Sequence, residues 1–197
     1  MASLVLHLEA ELMATRKIEF EKEKLAELII FFAAESENDL FFGSTKLNKQ
    51  LFLADVLSFG HLGKPITGST YINQKAGPTP KPNQFLPVRE SLIEDDRLEI
   101  VVEQKSPGKP MKRPIAKDTP KMDLFSTEEQ AIIREAIETL RPMTNTQAEL
   151  WSHEFVGWLY TERGEEVPYG TAFLWQKVPV SKNAREWAKE VATQLGY

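Results

Sequence analysis

Lys46-Leu47-Asn48-Lys49-Gln50-Leu51-Phe52-Leu53-Ala54-Asp55, continued by Val56 and Leu57, is the stretch that decides the fold. Its apolar residues surround the axis of a helix instead of forming one stripe, which predicts a central, buried helix over 45–59. Ser44 is placed to cap it, because a serine hydroxyl can accept a bond from a free amide of the first turn. Gly60, Gly63 and Pro65 end it. Asn48 and Asp55 stand seven residues apart on one stripe, with Phe52 between them. Buried polar groups are costly unless hydrogen-bonded, and an unpaired charge costs more. Either the two brace a neighbouring backbone segment or they line a site; bracing is the preferred reading, and the proline loop downstream is a segment that Asp55 or Asn48 could hold.

Upstream, Leu25, Leu28, Ile29 and Phe32 recur at helical spacing and predict a helix over 19–35. Residues 1–18 read as an N-terminal arm. Downstream, 66–73 reads as a strand through Thr70, Tyr71 and Ile72. The run Gly77-Pro78-Thr79-Pro80-Lys81-Pro82 lacks amide donors at its prolines and predicts an ordered loop of polyproline character. A helix over 83–95 follows. Residues 98–104 alternate and are β-branched, 106–109 make a turn, and Met111–Ala116 return.

Ser126 and Glu129 form a capping box before a helix to about Leu140. A further helix is expected over 145–161, burying Leu150, Trp151, Phe155, Trp158 and Leu159. An irregular connection over 164–180 and a last helix over 182–195 complete the chain. The fold class is therefore α+β: a mainly α-helical single domain over 19–197 with a small antiparallel sheet or hairpin.

The 197 residues carry a net charge of −5 and no cysteine. Disulfides, thiolate metal sites and cysteine nucleophiles are excluded, and a reducing, cytoplasmic setting fits. Overall acidity disfavours nucleic acid, and no apolar run reaches the length of a membrane span. The middle of the chain is the exception to the acidity, with 13 bases against 9 acids over 43–123. Five of those bases, Lys105, Lys109, Lys112, Arg113 and Lys117, fall on the predicted hairpin. That hairpin reads as a solvated ribbon, as a protein-docking element, or as the wing of a winged helix touching phosphate.

No phosphate-binding loop is present, since Gly60-His61-Leu62-Gly63-Lys64 is too short and Pro65 follows. His7, His61 and His153 have no metal-ligand spacing. Ser152 and His153 are adjacent, so on a helix they diverge and do not make a nucleophile pair. A buried histidine bonded to a carbonyl is the preferred reading of His153. The four tryptophans read as core anchors rather than a stacking surface. No catalytic constellation, metal site or cofactor is indicated.

The residues 46–55 resemble the KLNKLLYFAD-type helix of the Panacea, or SocA-like, domain. Gly63-Lys64-Pro65-Ile66-Thr67-Gly68 and Tyr71 follow as in that family, and Gly77-Pro78-Thr79-Pro80 is similar to its GPVP element. Ser152-His153 and Val167-Pro168-Tyr169 resemble its C-terminal signature. The likeness spans roughly 24–176, with Leu53 and Thr79 as mild departures.

The resemblance implies a bacterial or prophage-borne antitoxin whose partner is a cognate toxin, neutralised by direct binding. Toxins paired with the family are of several unrelated kinds, and the name-giving member instead delivers its toxin to a Clp-type protease. Lys46, Asn48, Asp55, Gly77, Pro78 and His153 are then scaffold residues. Partner specificity is expected in the arm and the 105–117 hairpin, with substitution of Lys112 and Arg113 by Glu leaving the fold intact.

Overall fold

A computed structural model describes residues 18–104 and 110–174. The predicted 182–195 helix, the arm before Ile18, and Lys105 and Lys109 lie outside the described residues. The architecture is α+β and mainly helical, with two small antiparallel two-stranded sheets.

Helix α1, Lys22–Glu35, buries Leu25, Leu28, Ile29 and Phe32 as the spacing predicts, and Ile30 and Phe31 as well. Helix α2, Ser44–Leu62, is buried on all sides from Lys46 to Ser58 except at Asn48. It packs against α1, against the two helices that follow the second sheet, and against the C-terminal turn. Each fully buried Leu, Val or Phe there contributes on the order of 2 kcal/mol by leaving water. The cap of α2 differs from expectation. Gly43 is the extended N-cap residue and no side chain caps the helix, because Ser44 Oγ donates to the Lys112 carbonyl at 3.1 Å. Gly63 closes the helix at φ +70°.

The strand expected over 66–73 is confined to β1, Tyr71–Ile72. Its partner is β2, Thr79–Pro80, inside the stretch expected to be a polyproline loop. Pro80 is tolerated because β2 is an edge: β1 has β2 on one side and a bridge from Ile72 to Glu166 on the other. Helix α3, Pro82–Glu94, leads to β3, Leu98–Glu103, which pairs with β4, Met111–Ala116, in register Leu98↔Ala116 and Val102↔Lys112.

Helix α4, Thr127–Leu140, starts on the predicted capping box. Glu129 N donates to Ser126 Oγ at 3.2 Å, and Ser126 N donates to the Glu129 carboxylate at 3.0 Å.

The single helix expected over 145–161 is instead two: α5, Asn145–His153, and α6, Val156–Leu159. Phe155 breaks it with an extended backbone and sinks its ring edge-on against Phe52, 4.8 Å between centroids. Leu150 and Leu159 are 60% and 56% exposed, so they leave the predicted stripe. A 3₁₀ turn, Tyr169–Leu174, ends the described chain.

Candidate functional site

Three polar residues of α2 tie the molecule together. Lys46 is fully buried and its ammonium bonds Asp39 at 2.5 Å and the carbonyls of Met143 and Arg141 at 2.7 and 3.1 Å. It thereby joins the α1–α2 loop to the end of α4.

Asp55, also fully buried, accepts from Thr67 N at 2.6 Å, from the Thr67 hydroxyl, and from Tyr71 OH at 2.8 Å. Tyr169 OH lies 3.2 Å from the same carboxylate and donates to the Ser69 carbonyl at 2.6 Å. Burial raises the Asp55 pKa, and the hydrogen bonds offset only part of that. Burial, with the Asp55 charge added, pushes Tyr71 and Tyr169 well above the usual phenol range.

Asp55 therefore braces residues 67–71 and the C-terminal turn, not the proline loop. Lys49 braces the loop instead: its ammonium donates to the Pro78 carbonyl at 2.7 Å. Burial lowers the Lys49 pKa from 10.5 to about 7, opposed by the charge of Glu149. Gly77 sits against this lysine at φ +92°, and a β-carbon there would lie 2.2 Å from Ser152 Oγ and 2.8 Å from Lys49 Nζ. Only glycine fits that backbone and that space. Lys49 and Ser152 are closed from solvent.

Asn48 is half-buried, and its Oδ1 has no partner among the described residues. His153 does not use Nε2 to bond a carbonyl as expected. That atom is buried without a partner, and the ring stacks on Trp158 at 3.9 Å between centroids. Trp158 in turn donates from Nε1 to the Gln74 carbonyl at 3.0 Å.

The hairpin has two unlike faces. Lys112 is exposed, and Lys117 is exposed but paired with Asp96. Arg113 points inward, 9% exposed, and donates to the carbonyls of Ser36, Glu37, Asp39 and Phe42. The expectation that Arg113 faces a partner, and that its replacement by Glu leaves the fold intact, is overturned by these four bonds. On an alternating strand, the neighbours Lys112 and Arg113 must face opposite ways.

Sequence reasoning singled out neither Lys49 nor the Glu27–Arg97 pair. Glu27, 1% exposed, accepts two bonds from Arg97 at 2.9 and 3.0 Å and one from Lys121 N at 2.9 Å. Burial would raise the Glu27 pKa, but the guanidinium and the amide outweigh it and hold it below the usual value. The available signal was the position of Glu27 next to Leu28 and Ile29 on the apolar face of α1.

Among the described residues no group of His, Asp and Glu could hold a metal ion, and no helix is long and apolar enough to cross a membrane. A buried, motif-built scaffold that carries an exposed hairpin is the class of protein these features define. Residues 47–159 match the model for the antitoxin SocA-like, Panacea domain, and the chain belongs to that family. No curated protein and no solved structure matches the chain. The family points to a role in a toxin–antitoxin pair, with a toxin as the general partner.

Proposed function

We propose that this chain is a cytoplasmic, bacterial or prophage-borne antitoxin that neutralises one cognate toxin by direct binding. Residues 19–197 form the binding unit and 1–18 an arm. The observation that carries this reading is the division of the hairpin. Its inner face is clamped to the core through Arg113, while Val102 (61% exposed) and Lys112, paired across the strands, are left outside. Leu40 and Phe41, also exposed, lie in the α1–α2 loop whose neighbouring carbonyls Arg113 holds. A rigid scaffold presenting a mixed apolar and basic surface suits a protein partner.

The test is co-expression with the product of the adjacent gene, followed by pull-down. A stoichiometric complex and restored growth are expected. Val102→Lys with Lys112→Glu keeps an opposite-charge pair across the strands and should abolish the complex without lowering the melting temperature. Unchanged affinity in that variant removes the hairpin from the interface. Loss of the toxin over time, dependent on a Clp-type protease, would replace sequestration with delivery to proteolysis.

A further inference from the structure

The hairpin lies at one end of the α1–α2 pair; the opposite end holds a cavity of about 1020 Å³. It opens where the start of α1, the end of α2 and the C-terminal turn converge. Glu21 N donates to the Thr67 carbonyl at 2.8 Å and fixes that convergence. Gly68, at φ +62°, allows the Glu19 carbonyl to pass where a β-carbon would stand 1.9 Å away.

The wall is aromatic. Phe59 stacks on Tyr169 at 5.5 Å and meets Phe173 at 5.6 Å, and Phe173 is 52% exposed. The rim is acidic. Glu19 and Glu21 are exposed, and no ion pair holds either among the described residues. Glu166 reaches the rim paired only with the exposed Lys81, and Glu129 is paired with Lys24. Lys64 is the one rim base without an ion pair among the described residues.

We infer that this cavity is a second docking site, for a segment of a protein partner that carries arginine or lysine beside an aromatic or aliphatic residue. The apolar side chain would leave water against Phe59, Tyr169 and Phe173. The cation would lie between those ring faces and the free carboxylates of Glu19 and Glu21. The cavity is at the upper end of the range for ligand pockets, which suits a short peptide segment better than a small metabolite. This site goes beyond the hairpin reading and stands if the hairpin has no part in binding.

The test uses the full chain, labelled with ¹⁵N, and two capped tetrapeptides. One contains arginine, tryptophan, arginine and leucine; the other has both arginines replaced by glutamate. The basic peptide should shift the amide resonances of Gly63, Gly68 and Gly170, which line the cavity. Glu19→Lys with Glu21→Lys should weaken it roughly tenfold, since rim charges act through solvent. The acidic peptide should leave those resonances in place. Equal binding of both peptides, or no shift with either, overturns the proposal. So do contacts from those glycines to residues beyond Leu174 in the peptide-free chain, which would mean that the chain covers its own cavity. A dependence of the same shifts on protein concentration would assign the cavity to a second copy and overturn it equally.

Discussion

Replacing Lys49 by methionine should make this protein more stable at neutral and acidic pH and less stable at alkaline pH. Lys49 is buried, and its pKa falls from 10.5 in the open chain to about 7 in the fold. Between those values the unfolded chain holds a proton that the folded chain has lost. The contribution of Lys49 to stability therefore rises with pH across that window, and its cost is greatest below about pH 7. Integrated over the window, the linkage is on the order of 5 kcal/mol. Lys49→Met removes that cost at similar side-chain volume, but leaves the buried Pro78 carbonyl without its donor. An unpaired buried carbonyl costs about 1–3 kcal/mol. The net expectation at about pH 6 is a variant more stable by roughly 2–4 kcal/mol, and at about pH 10 one less stable by roughly 1–3 kcal/mol. Urea unfolding of both proteins across this range measures the difference directly, and titrations common to the two cancel. Parallel stability curves, with a constant offset and no crossing, would refute the lowered pKa of Lys49.

Other parts of the scaffold make similar predictions. Arg113→Ala should cost about 2–4 kcal/mol in urea unfolding, because four carbonyls lose their donor, whereas Lys112→Ala should stay within about 0.5 kcal/mol. Gly77→Ala should cost about 1–3 kcal/mol through its positive φ and the clash with Ser152, and adding Ser152→Ala should recover part of that loss in a double-mutant cycle. Asp55→Ala should lower the melting temperature more than Asp55→Asn, since asparagine keeps one of the two acceptor oxygens, enough for Thr67 N, while its amide nitrogen replaces the oxygen that Tyr71 OH uses. The Glu27–Arg97 pair holds the Glu27 pKa down, so its contribution is complete above the ordinary glutamate range and is lost on acidification; Glu27→Gln should flatten that acid limb.

The helices were legible because their signals are local. The apolar surround of 47–57 marked α2 as central, and the Ser126–Glu129 box marked the start of α4 within a residue. The break at Phe155 was not legible, because periodicity continues through it. A ring that fits against Phe52 wins over one more helical turn, and only the fold reveals that fit.

The motif residues of the scaffold lay in plain view, but their pairing did not. Asp55 or Asn48 was expected to hold the proline loop, and Lys49, the residue after Asn48, holds it. A one-residue change of position on α2 rotates a side chain by about 100°, and the partners are 12 to 114 residues away. Arg113 was read by its charge; its burial followed from strand alternation against Lys112, a signal already present in the sequence.

The interface proposed for the toxin is the outer face of the hairpin. It is tested by the affinity of the purified chain for the product of the adjacent gene, by calorimetry, for the native protein and for Val102→Lys with Lys112→Glu. One-to-one binding, lost in the variant while its melting temperature is unchanged, is the predicted result. Equal binding by both proteins would contradict the hairpin interface, and no binding by either would contradict neutralisation by direct contact.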